Sequence, residues 1–376
     1  MGYIKEILPK IIRYRLFRVG LVSPGTPLNF TFSVTNLCQS KCRTCSIWKL
    51  YRDNPKKIND ELTIDEIEKI FKSLGHVYIF NISGGEPFLR QDLPHIVDLA
   101  CRYLTPAVIH IPTNAIAVDI VEKKTREILD IIKKINQGIQ LTVKPSLDHV
   151  GERHDNIRGV KGNFNKVVDL FHRLKDMKSE YPNLHVELGT IISSWNVNDI
   201  EEISRFAIEM EPDSYRNEIA EKRSEMFNRE DPVTPLTESY KKAVDIFVRQ
   251  VKGGKKNSTF FQKINNAFRM VYYNLAIQTM EQKIQIIPCY AGITNAHMSP
   301  YGDIWPCCTM GYDMSMGNLR DYNYDFKSLW NSRHAQKIRK YIKEKNCYCP
   351  LANQTYSNIL MHVPSLTKVI KNLFAG

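Results

Sequence analysis

Between residues 28 and 217 the chain alternates short β-branched or aromatic runs with longer stretches whose apolar residues recur on one helical face, the signature of successive βα units. The runs predict strands at Asn29–Val34, Val77–Ser83, Ala107–Pro112, Gln140–Ser146, His185–Ser193 and about Asp213–Asn217. Between them, Thr63-Ile64-Asp65-Glu66 reads as an N-cap with an acidic first turn, followed by Ile67, Ile70 and Phe71 on one face. Similar faces run over Val121–Ile135, Phe164–Leu174 and Val197–Met210. Six units in a row predict an α/β fold, a parallel sheet curled into a partial barrel whose functional loops leave the C-terminal strand ends. The two further strands of a closed eight-unit barrel have no counterpart in the pattern. Helices are expected at Thr237–Val251 and Thr259–Gln282, separated by Gly253-Gly254, and from Pro288 onward the chain reads as loop-rich, with short strand-like pieces around Cys, Gly and Pro, and too apolar-poor to hold a core of its own. The resulting divisions are 1–27, a basic amphipathic segment; 28–217, the partial (β/α)6 barrel; 218–287, helical; 288–360, cysteine-rich; and 361–376, an amphipathic tail.

Composition narrows the class. The 376 residues are 43% hydrophobic and 24% charged, as in ordinary globular proteins. No apolar run approaches the ~20 residues a membrane span needs, and the N-terminus lacks a signal-peptide core, so a cytoplasmic protein is expected. The 52 Lys+Arg against 40 Asp+Glu leave a net charge of +12. These charges are spread along the chain without a recognition module, and no nucleic-acid partner is expected. Lys5, Lys10, Arg13, Arg15 and Arg18 interleave with Ile4, Leu8, Ile11, Ile12 and Phe17. That pattern suits either peripheral contact with anionic lipid or packing on the barrel with a solvated basic face.

Nine cysteines change the picture, because eight of them fall into two groups: Cys38, Cys42 and Cys45, then Cys289, Cys307, Cys308, Cys347 and Cys349. Spacings of three and four residues favour metal ligation over disulfides, and Cys101 alone reads as a core thiol. Three thiolates on one loop can hold three irons of a [4Fe–4S] cluster and leave the fourth open; a zinc loop completed from elsewhere has similar spacing. What separates the two is Ser83-Gly84-Gly85-Glu86-Pro87 at the end of the second strand, where glycines permit close backbone approach and a carboxylate can face an ammonium group.

A C-x3-C-x2-C loop after the first strand with G-G-E-P after the second resembles the radical S-adenosylmethionine (radical SAM) superfamily over residues 28–217. The resemblance implies that Cys38, Cys42 and Cys45 hold a [4Fe–4S] cluster and that Gly84, Gly85, Glu86 and Pro87 line the amino-group side of S-adenosylmethionine. It implies reductive cleavage of that cofactor to a 5′-deoxyadenosyl radical and C–H abstraction, with a flavodoxin- or ferredoxin-type electron donor. The family's usual aromatic before the third cysteine is Thr44 here, which shifts adenine stacking to Ile47 or Trp48. Asn114 and Ser146, at the ends of the third and fourth strands, are carried over as contacts to the ribose or methionyl carboxylate, with a strand-end cap as the alternative. Arg158 is expected to anchor its loop to Asp148 or Asp155.

The second cysteine group, with Gly302-x4-Cys307, resembles the auxiliary-cluster extensions called SPASM and twitch. Five cysteines, against seven for two clusters, imply one auxiliary [4Fe–4S] cluster on Cys289, Cys307, Cys347 and Cys349, with Cys308 spare; a four-cysteine zinc site is the alternative. The expected function is therefore an oxidoreductase-type radical SAM enzyme acting on a small molecule or a lipid- or sugar-linked group. Peptide maturation is the alternative, and about 27 residues before the first strand are too few for a winged-helix leader-binding domain, so a peptide substrate would call for a separate binding partner. A non-catalytic zinc or Fe–S module is a third reading, disfavoured by the glycine pair and Glu86.

Overall fold

The computed structural model describes residues 2–253 and 260–374, so Gly254 and Thr259, the predicted helix break and helix start, lie outside the described residues. Nine strands are β1 (Asn29–Thr35), β2 (Ile79–Gly84), β3 (Val108–Thr113), β4 (Gln140–Pro145), β5 (Leu184–Ile192), β6 (Ser214–Ile219), β7 (Asn295–Met298), β8 (Asp303–Trp305) and β9 (Gly317–Asn318). The α-helices are α1 (Gly2–Arg18), α2 (Lys49–Asp53), α3 (Ile64–Leu74), α4 (Leu93–Leu99), α5 (Val118–Ile135), α6 (Glu152–Arg158), α7 (Asn163–Met177), α8 (Ile200–Glu209), α9 (Thr237–Gly253), α10 (Phe260–Gln282), α11 (Phe326–Trp330), α12 (Arg333–Lys343), α13 (Ala352–Met361) and α14 (Val363–Phe374).

The sheet runs β6-β5-β4-β3-β2-β1-β7-β8-β9. The first six strands pair in parallel in chain order, as the βα pattern predicts. Their strict alternation follows from burial: Phe30, Phe32 and Val34 of β1 are buried against the helices, where Phe71 of α3 meets Phe30, Phe32 and Phe80 edge-on. The opposite face carries Asn29, Thr31, Ser33 and Thr35, so the lumen is polar. Helix α3 starts on the expected capping box, with Thr63 and Glu66 satisfying each other's backbone N–H.

Beyond the barrel the short strand pieces expected after Pro288 are present, with helices that the pattern did not predict. β7 adds to β1 in parallel and extends the barrel sheet, and β8 and β9 follow antiparallel. Four helices lie beyond them, and Phe326, Leu329, Trp330, Ile338 and Ile342 join the same core as β1–β5. The pattern missed this because the extension's apolar residues complete the barrel's core instead of forming one of their own. At the N-terminus, α1 uses Tyr14, with Ile7, Ile11 and Phe17, to pack against Leu28, Tyr290, Ile293 and Met361. Its other face leaves Leu8, Ile12 and Leu16 exposed, and no helix among the described residues is long and apolar enough to cross a membrane. The tail is α14, packed on α10 through Val369.

Candidate functional site

The first cysteine loop leaves the C-terminal end of β1 and is held by main chain from two sides. Gly85 N–H donates to Thr35 O at 2.7 Å and Glu86 N–H to Leu37 O at 2.8 Å. Gly84 has φ 129°, and a Cβ there would run into Thr35 O; a Cβ on Gly85 would run into Leu37 O. The glycine pair is thus dictated by how closely this turn approaches the segment entering Cys38. On the other side, Lys41 N–H donates to Arg158 O (3.0 Å) and Arg43 N–H to Ile157 O (2.9 Å), so the end of α6 clasps the loop. The strand end itself is braced by Glu61, which is ion-paired with buried Arg90 at 3.0 Å and accepts from Thr35 Oγ1 at 2.6 Å.

Burial, then the mutual repulsion of neighbouring thiolates, pushes the Cys38 and Cys45 thiols up to about 12. Thiols so placed ionise only with a compensating cation, which suits a metal or cluster. Hydrogen bonds to the sulfurs are in place: Ser40 Oγ lies 3.1 Å from Cys42 Sγ, and Asn114 Nδ2 donates to Cys38 Sγ at 3.7 Å. The only group of metal-ligating atoms within 4.8 Å of one another among the described residues is His149, Asp199 and Glu202, already bridged by Arg153.

The Glu86 carboxylate is buried and accepts from Asn114 N–H (2.6 Å), Thr113 Oγ1 (3.0 Å) and Phe88 N–H (3.2 Å). Burial raises its pKa to about 7 against these donors. The side chain thus ties the β2 turn to the end of β3. Pro87 starts a short 3-10 turn, buried with Phe88. Ser146 bridges to Gly189, and its N–H donates to Thr113 O at 3.0 Å, the strand-end role offered as the alternative. Arg158 pairs with Asp148 at 3.0 Å, not Asp155, and is buried beside Cys42 and Cys38. Trp48 is stacked by Arg52 at 4.8 Å, and Thr44 is buried, its carbonyl accepting from Asn228.

Cys289, Cys347 and Cys349 line one cavity, and Cys307 feels the Cys349 and Cys289 thiols. Burial raises all four, Cys347 to about 12. Cys308 does not line that cavity, and the charges that act on it are Arg223, Glu225, Glu221 and Glu218. Sequence reasoning missed Gln285, whose buried amide joins Cys289 N–H (3.0 Å) to Cys347 O (3.3 Å). It also missed the 221–225 loop, where Arg223 pairs with Glu221 (2.8 Å) and Glu225 (3.4 Å) between the two cysteine groups. His297, 2.8 Å from Ser33 Oγ, is held neutral by burial, its pKa lowered to about 3. No spacing rule marks these residues; only the fold brings them together. Cys101 is buried in the core, as read.

Residues 32–207 match the family model of the radical SAM superfamily, and residues 289–350 match SPASM, an iron-sulfur cluster-binding domain. The chain carries a radical SAM domain followed by a SPASM domain. Its domains bring a [4Fe–4S] cluster that binds S-adenosylmethionine, together with auxiliary Fe–S binding. Among similar proteins, the antilisterial bacteriocin subtilosin biosynthesis protein AlbA of Bacillus subtilis is 23% identical over 323 residues, 83% of this chain and 61% of AlbA. This chain thus spans about three fifths of that relative. In fold it is similar to Streptococcus suis SuiB bound to its precursor peptide SuiA (TM-score 0.60, 15% identity, 86% of this chain and 69% of SuiB). It is likewise similar to anSMEcpe with bound AdoMet and a peptide (TM-score 0.57, 14% identity, 93% of this chain and 97% of that one).

Proposed function

We propose that this enzyme cleaves S-adenosylmethionine reductively at a cluster held by Cys38, Cys42 and Cys45 and uses the resulting radical chemistry to modify a peptide. The observation that carries the first half is the stitching of the glycine turn to the cysteine loop through Gly85 N–H to Thr35 O and Glu86 N–H to Leu37 O, which puts a close-approach backbone edge beside three half-buried thiols. When bound, the cluster supplies one electron to the sulfonium and the cofactor supplies the hydrogen-abstracting carbon. This chain's own residues do the rest. Asn114 donates to sulfur, Ser40 lies against Cys42 Sγ while donating to Arg158 O, Arg158 sets a positive charge beside Cys42 and Cys38, and Gly84, Gly85, Glu86 and Pro87 present the turn toward the cofactor's amino group, with Ser146 at the neighbouring strand end. Cys289, Cys307, Cys347 and Cys349 would hold one auxiliary cluster.

The peptide half departs from the small-molecule substrate expected first. It is supported by the AlbA and SuiB likenesses, which are to proteins named for bacteriocin biosynthesis and for binding a precursor peptide. An external one-electron donor of flavodoxin or ferredoxin type completes the reaction. The test is anaerobic reconstitution followed by dithionite and S-adenosylmethionine. About eight irons per chain and 5′-deoxyadenosine are expected, with release stimulated by short peptides encoded beside the enzyme and a mass change on the peptide. Stimulation by sugars or alcohols but by no peptide would reverse the substrate assignment.

A further inference from the structure

A cleft of about 460 Å³ opens at the surface between α2, the 220s loop and the SPASM extension. Its walls are aromatic: Tyr301, Tyr312 and Phe227, with Leu50. Phe227 is 45% exposed and Tyr312 37%, the two rings 6.3 Å apart. Side by side, the two exposed rings form a contiguous apolar surface on which a ligand can dock. Phe227 is also held at φ 50°, in the left-handed region that a bulky side chain rarely adopts. Its loop is pinned there by neighbours on both sides. Ser46 N–H donates to Met226 O at 2.8 Å, Asn228 Nδ2 donates to Thr44 O at 2.8 Å, and Arg229 pairs with Asp313. The exposed ring is thereby fastened directly to the loop that carries Cys42 and Cys45 and to the extension.

The charge pattern selects the occupant. Although the chain carries +12, this cleft is balanced, with Lys57 and Arg320 against Asp60 and Asp303. Lys57 sits over the Tyr301 ring at 4.6 Å and 3.2 Å from Asp60, and Arg320 is engaged by Glu66. A polyanion such as nucleic acid or an acidic lipid surface finds no net positive field here. A neutral, dipolar chain with an apolar side chain finds both an aromatic wall and polar rim groups.

We propose that this cleft docks an extended segment of the peptide substrate, anchored by one aromatic or large aliphatic side chain against Phe227 and Tyr312, so that the following residues enter the barrel mouth past the first cysteine loop. The inference rests on the peptide reading above. The test pans a displayed library of random peptides against the anaerobically reconstituted enzyme, then measures the enriched peptides on variants. Phe227→Asn removes the ring while keeping a residue that tolerates left-handed φ, and Phe227→Trp keeps an aromatic. Iron content and melting temperature report folding. Enriched peptides should share an aromatic or large aliphatic position, bind Phe227→Asn about tenfold more weakly, and bind Phe227→Trp within a few-fold of wild type. Equal binding to Phe227→Asn, or enrichment without a shared apolar position, would overturn the cleft assignment and leave the peptide reading standing. A library that yields no binder overturns the peptide reading and the cleft together.

Discussion

The two cysteine groups are built by opposite means. Cys38, Cys42 and Cys45 occupy one eight-residue loop at a strand end, oriented by main-chain bonds from the β2 turn and the end of α6. Cys289, Cys307, Cys347 and Cys349 come from three separate stretches and meet only because β7 joins the barrel sheet and Gln285 ties two of those stretches together. A local site is robust to changes elsewhere, whereas an assembled one depends on every element that delivers a ligand.

Removing one ligand from the first group and two from the second tests that contrast most severely. Cys42→Ala should abolish 5′-deoxyadenosine formation and cut iron by about half, from about eight to about four per chain, while the distant group keeps its share. Full iron with continued cleavage would disprove the first assignment. Cys347→Ala with Cys349→Ala should also halve the iron, yet leave reductive cleavage intact, abolish conversion of the true substrate and open the 288–360 region to protease. Cys308→Ser, outside the cavity that Cys289, Cys347 and Cys349 line, should leave iron unchanged. A wild type with about four irons and one zinc, whose zinc alone is lost in the double variant, would replace the auxiliary cluster with a zinc site.

The same contrast decides what was legible beforehand. The six parallel strands, α3 with its capping box, and the first cysteine loop with its glycine turn were readable because their signals are local: period-two and helical alternation, and ligands a few residues apart. The tie that the Glu86 side chain makes to the end of β3 was not, since only the structure shows its carboxylate accepting from Asn114, Thr113 and Phe88. Helices α11–α14 were lost for a related reason. Their apolar residues look too few until Phe326 and Trp330 are seen lying against the barrel, Phe326 edge-on to Phe30.

An intermediate effect is expected where a distant residue supports the local loop. Arg158 donates to the buried Asp148 carboxylate at 3.0 Å while its carbonyl accepts from Lys41 and Ser40. Arg158→Gln leaves that carboxylate without its cation, and breaking a buried pair from one side costs about 3–5 kcal/mol. The variant should melt markedly lower and bind S-adenosylmethionine more weakly. Unchanged melting with weakened binding would make Arg158 a ligand contact alone.

The smallest effect should come from the clip between the two regions. Arg320 of the extension reaches Glu66 of α3 at 2.8 Å, and Tyr324 adds a hydrogen bond at 2.9 Å. The guanidinium holds the Glu66 carboxyl down at about 2. A depressed carboxylate contributes stability that is present above its ordinary value near 4.5 and is lost as pH falls from there toward 2. Because Arg320 is partly exposed, the contribution is about 1 kcal/mol or less. Glu66→Gln should therefore lower the melting temperature slightly at pH 6, and the gap to wild type should narrow as pH drops toward 4 and as salt rises to about 1 M. A gap that ignores both pH and salt would mean that Glu66 acts through its capping bond to Thr63, which Gln can partly reproduce, and that the two regions are joined by the shared sheet and core without help from this ion pair.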